Sequence, residues 1–251
     1  MIPDELVVDV SHDWMLACDV QQRFMQGLAG AGAFLNYSGR CRQLRALGGD
    51  FYDFMPLPDD RLAFVIGDAS GKGLAAALMM ANVQSSIRTA IMFTGNDLSA
   101  LLRVVNHQAY TSSLEDRYAT VFYGVFDSES RTLRYVNAGH NPPVILRRDG
   151  SIECLEGSGA PAGMFPDSTY EELTVQLAPG DLVIAYTDGV IESTNEFGEE
   201  WGIEGLFKAA ANCATQPEDA EDLVQSLFNS MDAFSAGRQS DDATLAVLRV
   251  R

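Results

Sequence analysis

Strand-like runs in this sequence come in hairpin pairs and helix-like runs sit side by side, and that order constrains the fold more than any other feature. FYDFMPLP and RLAFVIGD are joined by the turn PDD at 58–60, and YATVFYGVFD and RTLRYVN by SES. PPVILRR and SIECLE flank Asp149-Gly150, a strong hairpin dipeptide. A long apolar helix pattern over 74–93 is followed at once by a second over 98–110, with Asn96 or Asp97 placed to cap it. Two more helices are predicted near 203–211 and 219–235, before a last strand at 242–250. Helices that do not alternate singly with strands argue against a doubly wound parallel sheet. Several strands, DLVIAYTDG above all, read as apolar on both faces. Two antiparallel sheets stacked face to face with helices outside would bury both sides, so the fold class is α+β.

Ahead of this body, apolar residues from Trp14 to Leu28 recur at near-helical spacing until Gly27, Gly30 and Gly32 break the pattern. We read 1–30 as a lead-in or linker helix, amphipathic enough to pair with a copy of itself, and 31–251 as the main domain.

The chain has 251 residues and a formal net charge of −18, from 17 basic and 35 acidic side chains. That balance disfavours nucleic acid and anionic membranes as partners, since both require a basic face. Nothing resembles a signal peptide, and no stretch approaches the roughly 20 apolar residues of a membrane span. Cys18, Cys41, Cys154 and Cys213 are too scattered for a zinc motif and read as reduced, buried thiols. The expectation is a cytoplasmic protein.

The chemistry lies in four aspartates at strand ends or glycine turns: Asp50 in LGGDFYD, Asp68 in FVIGDASGKG, Asp188 in LVIAYTDGV and Asp241 in SDDATLAVL. A carboxylate past a buried strand is poor core material, and several in one place repel unless a cation sits among them. Aspartates without matching His or Cys favour a hard ion with oxygen ligands, Mg²⁺ or Mn²⁺. The Ala69 carbonyl is a further candidate donor. Water bridging two such ions is a nucleophile suited to in-line attack on phosphorus. GDASGKG is not a nucleoside-triphosphate loop, because only three residues separate Gly67 from Gly71 and Gly73, not Ser or Thr, follows Lys72. Nor does GKGLAA fit a dinucleotide fingerprint, which requires a second strand after the helix.

GGDFYDF, GDASGKGLAAALMM, YATVFYGVFD, NAGHNPPVIL, YTDGVIES and SDDATLAVL, in that order, resemble the motifs of bacterial serine phosphatases of the stage II sporulation protein E type. These belong to the metal-dependent protein phosphatase (protein phosphatase 2C, PPM) superfamily. The resemblance spans about residues 20 to 250. It implies a four-layer αββα sandwich and a protein-serine/threonine phosphatase in which Asp68 bridges two Mn²⁺ or Mg²⁺ ions. Asp188 and Asp241 would complete one ion, and Asp50 with the Ala69 carbonyl the other. Asp68 and Asp188 are the catalytic residues by this reading. The substrate would be a phosphoprotein, in this branch often an anti-sigma-factor antagonist, under an upstream sensor or activator. The alternative is a catalytically silent phosphoprotein-binding or sensing module of the same fold.

Other positions have competing readings. Arg45 sits where relatives hold phosphate with an arginine, or is a surface cation. Lys72 touches phosphate or belongs to the loop. Gly49 stands where eukaryotic relatives carry an acid. Asp53 rivals Asp50 but reads as structural, and Asp242 rivals Asp241, although neighbours in a strand face opposite sides. His140 is the best histidine for an acid role but reads first as a satisfied turn histidine, Glu192 as a helix-start acid, and Met79, Met80, Trp201 and Phe207 as core.

Overall fold

The computed structural model describes residues 4–25, 29–32, 34–113, 116–157, 159–214 and 219–251. Helix α1 (Asp4–Phe24) precedes strands β1 (Gly30–Ala31), β2 (Leu35–Arg42), β3 (Asp50–Leu57) and β4 (Arg61–Ala69). Next come helices α2 (Leu74–Thr94) and α3 (Leu98–Ser112), then β5 (Ala119–Asp127), β6 (Thr132–Ala138), β7 (Val144–Leu146), β8 (Ile152–Cys154), β9 (Leu173–Gln176) and β10 (Leu182–Tyr186). The chain closes with helices α4 (Asp188–Ile191), α5 (Gly202–Ala214) and α6 (Ala220–Ser235) and strand β11 (Ala243–Val250). The lead-in helix starts earlier than its apolar spacing predicts and ends at Phe24, before Gly30 and Gly32; Gly27 and Leu28 lie outside the described residues.

All strand pairs are antiparallel. One sheet has the order β1-β2-β11-β10-β7-β8 and the other β3-β4-β5-β6-β9. Strand alternation sorts the apolar residues into three layers. Phe64 and Ile66 of β4, Phe122 and Phe126 of β5, Val183 and Ala185 of β10, and Ala246 and Leu248 of β11 meet between the sheets. Their neighbours Ala63, Val65, Val121 and Tyr123 turn outward onto Met80, Val83 and Ile87 of α2 and Leu102 and Val105 of α3. On the far side Ile184, Leu245 and Val247 pack against Leu206 of α5 and Leu227 and Phe228 of α6. These strands read as apolar on both faces because both faces are covered. A fully buried Phe or Leu side chain contributes about 1.5–3 kcal/mol, so three such layers hold the two sheets in a fixed relation. This is the expected αββα sandwich.

Local signals explain the connections. Leu57 pairs with Arg61, and the turn between them puts Asp59 and Asp60 at φ 62 and 51, a region that Asp tolerates better than most residues. Asp97 caps α3, its Oδ1 accepting from the Ala100 amide at 2.7 Å. Met79, Met80 and Trp201 are core, and Phe207 packs partly buried against it. None of the four cysteines is in a disulfide among the described residues, but only Cys213 is buried as a residue and Cys154 is exposed. The expectation of four buried thiols fails because β8 lies at the open edge of its sheet. Among the described residues no helix is long and apolar enough to cross a membrane.

Candidate metal centre

The inter-sheet layer changes character at one end. Tyr52 and Phe54 of β3 point between the sheets, and so, by parity, does Asp50. Ile66 does the same on β4, which sends Asp68 to that face, and Phe122 on β5 does so for Thr120. The register aligns them: Asp50 is the cross-strand partner of Asp68, and Asp68 of Thr120. The opposite sheet contributes Thr187, in line with Val183 and Ala185, and Thr244, in line with Ala246. Both hydroxyls donate to Asp50 Oδ2, Thr187 at 2.7 Å and Thr244 at 2.6 Å. Thr187 Oγ1 in turn accepts from the Thr244 amide at 2.9 Å. Asp50, 1% exposed, thus ties the two sheets together. The sequence reading missed both threonines; their one signal was a hydroxyl at an inward position of an otherwise apolar strand.

Asp188 and Asp241 arrive from the second sheet. Asp188 is the first residue of the one-turn helix α4, not the end of β10. Asp241 and Asp242 precede β11, so strand alternation does not govern them. Asp242 turns away to clamp the loop before β3, accepting from the Leu44 amide at 2.7 Å and the Gly49 amide at 3.0 Å. Asp241 is free of that clamp and reaches Lys72. The backbone is tight here: a Cβ on Gly189 would lie 1.9 Å from the Asp242 carbonyl oxygen. Glu192 sits at the C-terminal end of α4, correcting the expectation of a helix-start acid.

Electrostatics show what this convergence costs. Burial, then the charges of Asp188, Asp241 and Asp242, push the Asp68 carboxyl up to about 7, against a smaller opposing pull from Lys72. Burial and the Asp68 charge hold Asp50 well above the usual carboxylate range, despite its two hydroxyl donors. Asp188 is raised by burial and by Asp241, and Glu192 by burial and by Asp188. A divalent cation would relieve all four, and the donors are the oxygens that Mg²⁺ or Mn²⁺ takes. The Ala69 carbonyl faces the Gly49 Cα so closely that a Cβ there would lie 2.5 Å from it. A side chain at 49 would therefore crowd that carbonyl and Asp68 Oδ1. The donor set fits the ions. As placed, however, no three of the His, Cys, Asp and Glu side chains among the described residues draw together into a coordinating group. Lys72 Nζ lies 2.6 Å from Asp241 Oδ2 instead.

Arg45 is exposed on the loop before β3, and a Cβ on Gly73 would lie 4.0 Å from its Nη1. Arg45 and Lys72 therefore share one rim of the site. Asp53 faces the helices: Arg88 grips it at 2.6 and 3.0 Å and Gln84 donates at 3.3 Å, so it is structural. Asn137 brackets the backbone of His140, whose Nδ1 is 2.9 Å from Thr120 Oγ1. Burial lowers the His140 ring's pKa to about 4 against an opposing backbone contact with Tyr186, and among the described residues Nε2 makes no well-aligned hydrogen bond. His12 is exposed, as is His107 on α3.

The family model "Stage II sporulation protein E (SpoIIE)" matches residues 58–251. The chain belongs to the SpoIIE family. It is 31% identical to protein IcfG of Synechocystis sp., over 80% of this chain and 36% of IcfG. It is 25% identical to the phosphoserine phosphatase RsbU of Bacillus subtilis, over 96% of this chain and 71% of RsbU. The chain thus spans about a third of IcfG and most of RsbU. Among solved structures, the SiaA-PP2C domain of Pseudomonas aeruginosa superposes with a TM-score of 0.82 at 22% identity, covering 98% of each chain. The catalytic domain of the serine threonine protein phosphatase PstP, in complex with two manganese ions, gives 0.63 at 17% identity over 86% of this chain and 98% of that one. These likenesses identify the fold as that of PP2C-type phosphatase domains.

Proposed function

We propose that this SpoIIE-family chain is a metal-dependent protein-serine/threonine phosphatase, with residues 31–251 as its catalytic unit and 1–30 as a lead-in helix. What supports the reading is that Asp68, the cross-strand partner of Asp50, lies near enough to Asp188 and Asp241 of the other sheet for their charges to raise its carboxyl, although the side chains as placed do not close into a coordinating group. Asp68 and Asp50 with the Ala69 carbonyl would hold one Mn²⁺ or Mg²⁺ ion, and Asp68, Asp188 and Asp241 a second. When bound, the ions supply Lewis acidity at the phosphoryl group and lower the pKa of the attacking water. The chain's own residues do the rest. Thr187 and Thr244 fix the Asp50 carboxylate, so it need not reorganise. Lys72, once released from Asp241, and Arg45 orient the phosphoryl oxygens from the rim. A phosphoseryl or phosphothreonyl side chain is long enough to reach the site from a protein surface.

Relatives named phosphoserine phosphatases, RsbU and RsbP, support this class of substrate. PstP with its two manganese ions supports the cofactor. We further propose an anti-sigma-factor antagonist as the physiological substrate, controlled by an upstream sensor or activator and by pairing through α1 in a homodimer, in the cytoplasm. A second reading, a silent phosphoprotein-binding module, is favoured by one observation: Lys72 occupies Asp241 and the carboxylates stand open. Mn²⁺-dependent phosphate release from a phosphoserine protein decides between them. Asp68→Ala and Asp188→Asn are each expected to abolish it. Activity retained in both would defeat the reading, and a wild-type chain that binds the phosphoprotein without turnover would establish the alternative.

A further inference from the structure

Beside the carboxylates lies a cleft that the chemistry above does not use. Its volume is about 550 Å³, and its lining includes Tyr110, Asp116, Arg117, Tyr118, Met164 and Phe165, so one carboxylate and one guanidinium both face it. Clefts of a few hundred Å³ are large enough to take side chains of a bound partner. The floor is continuous with the metal-side loop: Ser70 exchanges hydrogen bonds with Tyr118, its amide donating to the Tyr118 carbonyl at 2.8 Å and its hydroxyl accepting from the Tyr118 amide at 3.1 Å. Ser70 follows Ala69 directly. The walls are pre-built. Ala119 and Ala162 exchange backbone hydrogen bonds at 2.8 Å each, anchoring the 160–165 loop to the end of β5. The buried Asn106 of α3 accepts from the Gly163 amide at 2.9 Å and donates to the carbonyls of Phe165 and Pro166 at 2.9 and 3.2 Å. Phe165 nonetheless stays 57% exposed and Tyr110 44%. A clamped loop that holds an aromatic ring out to solvent, opposite a second exposed aromatic, is a docking feature and not core. Arg117 Nη1 donates to the Ser70 carbonyl at 3.0 Å. Among the described residues its guanidinium makes no ion pair, although the chain carries a net charge of −18.

We propose that this cleft is the specificity subsite for the substrate polypeptide, resting on the phosphatase reading. The segment next to the phosphoserine lies in it, seating an apolar side chain between Tyr110 and Phe165 and presenting an acidic side chain to Arg117. The occupant follows from position and charge. Tyr118 and Arg117 of the cleft hydrogen-bond Ser70, two residues after Asp68, so a polypeptide seated in the cleft has a short path to the carboxylates. Arg117, held on the Ser70 carbonyl but paired with no carboxylate among the described residues, selects an anion, and the aromatic rims select an apolar neighbour.

The test compares p-nitrophenyl phosphate, which has no flanking residues, with short phosphoserine peptides carrying either acidic and apolar or basic and polar flanks, all with Mn²⁺. Phe165→Ala and Tyr110→Ala are expected to lower kcat/KM for the acidic-apolar peptide about tenfold and leave p-nitrophenyl phosphate within about twofold. Arg117→Glu is expected to invert the acidic-to-basic peptide ratio, which a general loss of activity does not move. Unchanged peptide ratios in all three variants, or equal losses on both kinds of substrate, would overturn the subsite. If the wild-type chain hydrolyses nothing, the phosphatase reading fails separately. Fluorescence anisotropy of the labelled phosphopeptides then tests the cleft: flank-dependent affinity abolished by Phe165→Ala supports it, and flank-independent affinity rejects it.

Discussion

Asp53 and Asp50 lie three residues apart on one strand, each only 1% exposed, and parity gives them opposite destinations. Substitution at the Asp53–Arg88 pair tests that assignment. Arg88→Ala removes both guanidinium bonds, at 2.6 and 3.0 Å, and leaves the carboxylate a single donor, Gln84 at 3.3 Å. Orphaning a fully buried charge costs about 3–5 kcal/mol, and losing a hydrogen bond to a charged group about 1.5–3. The Arg88 side chain is 54% exposed, so water reaches the outer side of the pair. That brings the expected cost to about 2–3 kcal/mol, or roughly 4–12 °C in Tm for a chain of this size. Asp53→Asn leaves a solvated arginine and a neutral amide, and is expected to cost only about 1 kcal/mol. Urea denaturation of the two single variants and the double variant measures both numbers and their coupling. Folded Arg88→Ala should retain Mn²⁺-dependent turnover, because Asp53 faces α2 and not the site. A cost for Arg88→Ala below that for Asp53→Asn, or turnover lost from fully folded Arg88→Ala, would refute the reasoning.

The other predictions concern the site itself. Thr187→Val and Thr244→Val each remove one hydroxyl from Asp50 and should destabilise by about 1–2 kcal/mol while weakening Mn²⁺ binding, read by calorimetry; unchanged Mn²⁺ affinity in both would remove Asp50 from the site. Asp68 titrates near 7 when folded and near 3.8 when unfolded. Its contribution to stability is therefore greatest below pH 3.8 and is lost as pH rises through about 7. In EDTA, Asp68→Asn should gain on the wild type across that window, up to about 4 kcal/mol at 1.36 per pKa unit, and saturating Mn²⁺ should reverse the order; denaturation at a series of pH values checks it. Gly189→Ala forces a Cβ to 1.9 Å from the Asp242 carbonyl oxygen and should cost at least about 1–3 kcal/mol by thermal melting.

Much of this architecture was legible in the sequence because its signals are local. Hairpin turns at Asp59-Asp60 and Asp149-Gly150, the Asp97 cap and two-sided apolar strands such as LVIAY each have a short-range cause. The four aspartates were legible for a related reason: a carboxylate at the end of an apolar run has no core role. What was hidden depends on which strands become neighbours. Thr187 and Thr244 are unremarkable until β10 and β11 bring them across to Asp50 from 137 and 194 residues away. The resemblance chose Asp241 over Asp242, but the physical reason, the Leu44 and Gly49 amides that hold Asp242, needed the fold. Lys72 was read as a phosphate contact or a loop residue, and the Asp241 carboxylate holds it. Apart from Tyr118, which opens YATVFYGVFD, the cleft residues Tyr110, Arg117, Met164 and Phe165 belong to no motif, and Asn106 and the Ala119–Ala162 bridge help bring them together.

An anomalous-scattering map from a crystal grown with manganese tests the central claim most directly. The account predicts two peaks at the end of the inter-sheet layer, one between Asp50, Asp68 and the Ala69 carbonyl and one among Asp68, Asp188 and Asp241, with Lys72 displaced from Asp241. A map at saturating manganese with no peak within coordination distance of Asp68 would contradict it.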